Sequence, residues 1–325
     1  KAEASCRKAI QIDSKNALAQ NNLGNILFKL KKLEEAEIAY RIAISIQQNN
    51  VKAIYNLGNT LKALGKNKEA EFNFNNAIKI KPDFSEALMM RGGLLFARGE
   101  FESALKDFDI CDSPRSRARA LISLYALGRV KEVYERIENL SKVDNKNLRI
   151  AALSAFLNAT EKKKTKFNFC DNPLNFIYFS NISSHIKDSD IFINETISEL
   201  NNIDTIWEPL GKTTFKGFQS DNIFKDPKER LRSLKSIILN EIQSYYLKFQ
   251  NEACTYIEQW PFRKEIRGWH VVLKKFGGQK EHIHPSGWLS GVIYLKIVPS
   301  LEENEGAIEF GLNSDQYFHK NSPNF

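Results

Sequence analysis

Apolar and small residues in the first half of the chain return with a fixed period. Leu23-Gly24, Leu57-Gly58 and Arg91-Gly92 stand 34 residues apart, as do Ala36, Ala70 and Ala104. An aromatic follows each of those alanines four positions on, as Tyr40, Phe74 and Phe108. Ala43 and Ala77 keep the register, Cys111 takes the third place, and Pro82 closes the second unit. Within each half-unit the apolar positions recur three and four apart, the stripe of an amphipathic helix. The pattern predicts paired helices whose Gly and Ala permit close approach, with the aromatic filling the space beside them. Ala2, Cys6 and Ala9 fit the second helix of a preceding unit, so the sequence is expected to begin mid-repeat. Past Ser113-Pro114 the pattern loosens, although residues 118–127 and 130–140 still predict a degenerate pair. Residues 148–159 predict a further helix or a closing cap.

The texture changes after Glu161-Lys162-Lys163-Lys164-Thr165-Lys166, a charge run with no apolar period. Phe, Ile, Tyr and Trp become frequent, and Asn172-Pro173, Leu210-Gly211, Lys216-Gly217 and Gly277-Gly278 are expected to break the chain into short segments. One long helix is predicted from about Lys228 to Gln250, with Leu231, Leu234, Ile238, Ile242, Tyr245, Tyr246 and Phe249 on its stripe. Asp226-Pro227 supplies its start. From Gly268 onward strands are predicted over residues 269–276, the two-histidine segment near 282, residues 288–298 and residues 307–310. Helices followed by short strands with glycine turns suggest a sandwich or jelly-roll barrel. The domain organisation expected is therefore a helical array over 1–160, a linker over 161–166 and a mostly β domain over 167–325.

The 34-residue unit resembles the tetratricopeptide repeat, a helix-turn-helix motif of that period. The resemblance covers about half of the chain and implies an all-α solenoid that presents a groove to a peptide or another protein. Asn21, Asn22, Asn25, Asn56 and Asn59 lie on first helices. They either hydrogen-bond a peptide backbone in that groove or are solvated surface asparagines.

Composition narrows the classes without choosing among them. At 325 residues the chain can hold two domains with real cores. The net charge of +8 comes from lysines scattered along the whole length. A nucleic-acid binder would gather such charge on one face with aromatics interleaved, so no nucleic-acid partner is expected. No apolar run is long enough to span a bilayer, and no membrane partner is expected either. Cys6, Cys111, Cys170 and Cys254 are far apart and form no CxxC pair, so neither a zinc knuckle nor a redox dithiol is suggested. Isolated thiols fit a reducing compartment, and a cytoplasmic location is expected.

The candidate chemistry lies in Glu281-His282-Ile283-His284-Pro285. On an extended segment, side chains two apart share a face, so His282 and His284 present two imidazoles side by side. Such a pair begins a metal site or forms only a polar edge. Pro285 ends the segment, because it cannot donate to a ladder.

Several stretches together resemble the 2-oxoglutarate- and Fe(II)-dependent oxygenases found attached to tetratricopeptide repeats, relatives of the prolyl 4-hydroxylase group. They are Asn172-Pro173-Leu174, Gly217-Phe218-Gln219-Ser220 and Gly268-Trp269-His270-Val271-Val272-Leu273. They continue with the run from His282 to Leu295 and with Gly306-Ala307-Ile308-Glu309-Phe310-Gly311. The resemblance implies a double-stranded β-helix (jelly-roll) with flanking helices, holding Fe(II) and taking 2-oxoglutarate as co-substrate. His282 matches the first histidine of the metal motif, and His284 stands where the wider superfamily commonly has Asp. His284 is then a ligand or a rim residue beside one. Tyr294 is implied as a hydrogen-bond partner of the 2-oxoglutarate carboxylate, against the alternative of a packed tyrosine. Trp269 and Trp288 are expected as barrel walls, His270 has no assigned role, and His185 is expected at the surface. His319 does not match the distal motif, so the third ligand and the anchoring basic residue are expected beyond Phe325, with the barrel C-terminally incomplete.

The implied activity is hydroxylation of a peptide or protein side chain recruited by the repeats, with 2-oxoglutarate converted to succinate and carbon dioxide. One alternative is a non-catalytic tetratricopeptide scaffold or adaptor carrying a degenerate jelly-roll. Another is a cupin-like metal-binding protein, since Gly278 precedes a His-x-His at short spacing.

Overall fold

The structure is a computed structural model that describes residues 2–209, 212–280, 282, 284, 287–297 and 308. The chain divides into two compact units, Lys1–Arg136 and Ile137–Phe325.

The first unit is built from helix pairs. Its helices are α1 (Ala2–Ile12), α2 (Ala17–Lys29), α3 (Leu33–Ile46), α4 (Val51–Ala63), α5 (Asn67–Ile80), α6 (Ser85–Ala97), α7 (Phe101–Cys111) and α8 (Pro114–Ala126). Two more follow in sequence, α9 (Val130–Val143) and α10 (Leu148–Thr160), where the looser pattern predicted helices. Caps set the boundaries. Asn16 and Asn50 accept hydrogen bonds from the amides of Ala19 and Ala53 at 2.8 and 3.1 Å, satisfying otherwise orphaned donors. Lys31, Gly65 and Gly99 follow α2, α4 and α6 with φ of 63°, 76° and 81°. Each stands in the left-handed position that ends a helix, where glycine carries no Cβ penalty.

The periodic residues meet as the spacing predicted. Tyr40, Phe74 and Phe108 are at most 2% exposed, and Ala36, Ala70 and Ala104 are fully buried. A Cβ built on Gly24 would fall 2.6 Å from the Tyr40 ring, one on Gly58 2.6 Å from Phe74, and one on Gly92 2.7 Å from Phe108. Glycine at these places therefore makes room for the ring of the same unit's second helix. The first helices touch in series, α2 against α4 and α4 against α6, so they form one continuous inner layer.

The second unit holds α11 (Ser189–Asn201), α12 (Glu229–Phe249) and the short α13 (Thr255–Glu258), with two 3-10 turns at Pro173–Phe176 and Ile182–Ser184. Phe192, Leu200, Phe224, Leu231, Leu234 and Ile237 form its core. A three-stranded antiparallel sheet runs in the order β1 (Thr205–Trp207), β2 (Thr214–Ser220) and β3 (Val271–Gln279). The long helix matches its expected span closely.

The glycines expected as breaks are not breaks. Gly217 pairs with Leu273 and Gly278 with Phe215 inside the β2–β3 ladder. A Cβ on Gly277 would run into the Lys216 carbonyl oxygen, and one on Gly217 would lie 3.0 Å from the Val272 carbonyl oxygen. Glycine serves close backbone approach there, and the ladder shifts register between Phe215 and Gly217, where Lys216 has φ 44°. Leu210-Gly211 lies outside the described residues.

The strand expected at 288–298 is a second correction: described residues 287–297 have no strand. Local tethers hold this segment in its place. The Trp288 indole N–H donates to the Tyr256 carbonyl at 3.2 Å, and its ring stacks on Tyr256 at 6.0 Å. The histidine residues 282 and 284 are likewise irregular and not strand. Most of the strand expected at 307–310 lies outside the described residues, and Ile308 within it has no regular structure.

Candidate metal centre

β3 delivers the chain to the histidines. Its last backbone donor is followed by Lys280, whose N–H reaches the Thr213 carbonyl at 3.0 Å. His282 and His284 come next, with ring centres 4.7 Å apart and planes inclined at 64°. The two rings thus meet edge to face although their segment is not a strand.

The donor chemistry suits a cation that takes imidazole nitrogen. His282 Nδ1 lies 2.7 Å from the Lys280 carbonyl oxygen. A carbonyl can only accept, so Nδ1 carries a proton, and in the neutral ring the lone pair then belongs to Nε2. A ring N–H held by a backbone carbonyl is the usual arrangement behind a metal-bound histidine. Burial, with neighbouring His282 adding to it, holds His284 below the ordinary imidazole range, so its ring is neutral and able to donate. Two imidazoles side by side on one cation, with metal–nitrogen bonds of about 2.1 Å, bring their ring centres to roughly 4.5–5 Å, and 4.7 Å falls in that interval. Among the described residues no set of three or more His, Cys, Asp or Glu gathers around a common point. His319 lies outside the described residues.

Neighbouring groups fix the second ring. Trp269 stacks against His284 with centres 5.7 Å apart and planes at 24°. The Lys212 ammonium lies 5.9 Å from the same indole. Trp269 was expected as a barrel wall, and the contact it makes here is with the His284 ring. Lys212 carried no sequence signal, because a lysine among 47 basic residues is not distinctive.

Tyr294 is 47% exposed, and among the described residues it makes no hydrogen bond to either histidine. His270 is partly buried and its Nδ1 is enclosed without a hydrogen-bond partner. Burial holds its pKa below the usual value, and its backbone is tied to Ser220 by bonds of 3.0 and 3.1 Å. His185 corrects its expected surface role: it pairs with Glu241, each with about a fifth of its side chain exposed. Burial raises the Glu241 pKa, but hydrogen bonds from His185, Ser180 and Tyr178 outweigh it and hold the carboxyl below the usual range.

Of the first-helix asparagines, Asn21, Asn25 and Asn56 are engaged with one another. Asn56 Nδ2 donates to Asn21 Oδ1 and Asn25 Oδ1, both at 3.1 Å, and the Tyr40 hydroxyl donates to Asn25 Oδ1 at 2.8 Å. The rung does not repeat one unit later. Met90 stands 34 residues after Asn56, and Asn59 Oδ1 is buried without a hydrogen-bond partner.

Residues 267–323 match the family described as "Putative 2OG-Fe(II) oxygenase". Residues 24–65 match a family described as "TPR repeat", and residues 51–84 the family "Tetratricopeptide repeat". The chain thus carries segments that match tetratricopeptide repeats and, at its C-terminal end, a segment that matches the oxygenase family model. Comparison with curated proteins finds no match. Among solved structures the chain is similar to YrrB, described as "a TPR protein with an unusual peptide-binding site", at 20% identity and TM-score 0.44, covering 50% of this chain and 86% of that one. It is similar to PilF of Pseudomonas aeruginosa at 20% identity and TM-score 0.40, covering 46% and 71%. The first TPR of Spaghetti, solved with an HSP90 peptide, matches at 26% identity and TM-score 0.34, covering 36% and 96%.

Proposed function

We propose that the protein is a 2-oxoglutarate- and Fe(II)-dependent dioxygenase that hydroxylates a peptide or protein side chain recruited by its repeat array. In this proposal residues 1–160 recruit and residues 167–325 carry the oxygenase domain. The observation that carries it is the His282–His284 pair, its rings 4.7 Å apart, inside the segment that matches the oxygenase family.

His282 and His284 would hold the Fe(II). The bound metal with 2-oxoglutarate supplies oxygen activation, and it needs open positions that a protein filling every coordination site would deny. The chain's own part is placement. The Lys280 carbonyl keeps the proton on His282 Nδ1 and so points the Nε2 lone pair outward. Trp269 limits rotation of the His284 ring by stacking. Burial keeps His284 unprotonated near neutral pH. In the proposal Tyr294 turns its hydroxyl to a carboxylate of 2-oxoglutarate, a role its exposed position leaves open to a bound ligand. The double-stranded β-helix implied by the family would enclose the centre and exclude water.

Recruitment by the array is supported by the repeats themselves, since stacked units form an extended surface suited to peptides. The test is anaerobic addition of Fe(II) and 2-oxoglutarate to the protein, which should produce a visible charge-transfer band. His282→Ala should abolish the band. Its retention in that variant would remove the metal assignment, whatever the turnover.

A further inference from the structure

Lysines scattered along the sequence give no reason to expect a nucleic-acid partner, but the three-stranded sheet gathers three of them around exposed rings. Trp207 of β1 is paired with Phe218 of β2, and Phe218 in turn with Val272 of β3, so all three share one face. The Trp207 and Phe218 rings stand 4.9 Å apart with planes at 69°, and Trp207 is 45% exposed. In an edge-to-face pair the ring that offers its edge keeps both faces clear of its partner. Lys274 lies two residues beyond Val272 and so on the same face, its ammonium 5.8 Å from the centre of the Phe218 ring.

The register shift adds a second ring. Gly217 pairs with Leu273 and Phe215 with Gly278, so residues 274–277 of β3 stand opposite Lys216 alone. A bulge of this kind bends its strand and re-aims the side chains on it. Lys216 and Phe276 both take left-handed backbone, with φ of 44° and 60°, which is least common for a bulky side chain. Glu208 steadies the β2 side, its carboxylate accepting from the Lys216 amide at 2.7 Å. The Phe276 ring is 72% exposed, with the ammonium groups of Lys216 and Lys275 at 5.8 and 5.1 Å from its centre. Among the described residues Lys216, Lys274 and Lys275 make no ion pair. Residues 268–280 contain no Asp or Glu.

Rings held in water and cations held without a counter-charge both raise the energy of the free sheet. A partner that relieves both must carry negative charge and flat π-surfaces at short intervals. Single-stranded nucleic acid has both, whereas an acidic peptide supplies only the charge and an anionic bilayer offers headgroup charge over alkyl chains. We propose that this sheet binds single-stranded nucleic acid, with bases stacked on Trp207 and Phe276 and phosphates against Lys216, Lys274 and Lys275. The site uses neither His282 nor His284, so it is independent of the metal centre and of the dioxygenase reading.

The probes are fluorescein-labelled oligothymidylate and oligouridylate of about twelve nucleotides, titrated with the whole protein and followed by fluorescence anisotropy. Polyglutamate and phosphatidylserine vesicles serve as competitors. At least one oligonucleotide should bind, and a preference between the two assigns the site to DNA or RNA. Three phosphate contacts on a single strand should give a slope of about −2 for log affinity against log salt. Phe276→Gly should weaken binding about tenfold through loss of one stacking surface. Glycine suits the left-handed backbone at that position, so a loss there is not a failure to fold. Trp207→Ala should weaken binding by a similar factor, and unchanged far-ultraviolet circular dichroism should show that the sheet is kept. Wild-type affinity in both ring variants would reduce the binding to general attraction by a basic protein and overturn the proposal. Displacement of the oligonucleotide by polyglutamate or by the vesicles at matched charge would overturn the assignment to nucleic acid, and no binding of either probe at low salt would overturn the site altogether.

Discussion

Gly92 and Gly93 are neighbours in α6 with opposite surroundings, and alanine at each should move stability in opposite directions. A Cβ at Gly92 would stand 2.7 Å from one ring carbon of Phe108 and 3.1 Å from two others, whereas one at Gly93 meets nothing within 4 Å. Either replacement gains about 1 kcal/mol of helix propensity. At Gly93 that gain stands alone, so Gly93→Ala should stabilise by about 0.5–1 kcal/mol. At Gly92 the new methyl meets a ring that is 0% exposed, so the ring must shift within the core to admit it. Overpacking of that kind costs about 1–3 kcal/mol, which exceeds the propensity gain at most of that range. Propensity cancels between the two variants, so their difference isolates the packing between glycine and ring. Hydrogen exchange read by mass spectrometry over α6 and α7 suits the question, because repeat arrays open locally. Protection should fall in Gly92→Ala and rise in Gly93→Ala. Equal protection, or greater protection in Gly92→Ala, would show that Phe108 yields and that the joint is not tight.

Two further outcomes follow from the polar contacts. Asn25→Leu should cost about 1–3 kcal/mol, because it strands the Tyr40 hydroxyl and an Asn56 amide donor, whereas Asn59→Leu, which removes a carbonyl with no partner, should be neutral or stabilising. Matched urea titrations decide this, and equal losses would refute it. Trp269→Ala should weaken anaerobic Fe(II) binding by about 10–100-fold, the range for groups that orient a metal ligand. Trp269→Phe should hold most of the affinity through its remaining ring, and unchanged binding in Trp269→Ala would dismiss the stacking role.

The array was legible because its helices need the same atoms at the same places in every unit. Gly58 and Phe74 can be paired on paper once the period is seen, and the built contact is the one the period requires. The second unit was harder for a physical reason. α11 buries only Phe192, Thr196 and Leu200, a narrow stripe, while Ile191 beside it is 60% exposed, so its apolar period is faint. Gly217, Gly277 and Gly278 read as turns because glycine signals both flexibility and tight approach, and only the neighbouring strand distinguishes the two. The histidine pair was visible by spacing, but the indole beside His284 comes from fifteen residues earlier (269 against 284), a distance across which sequence pattern carries no orientation.

Each glycine and the ring that covers it lie sixteen residues apart within one unit (24 to 40, 58 to 74, 92 to 108). A segment duplicated or deleted as a whole therefore carries both halves of its own hinge-pin, and the neighbouring units need not be recut to receive it. Lengthening such a chain is a matter of insertion, while shortening it by part of a period would leave a ring without its socket.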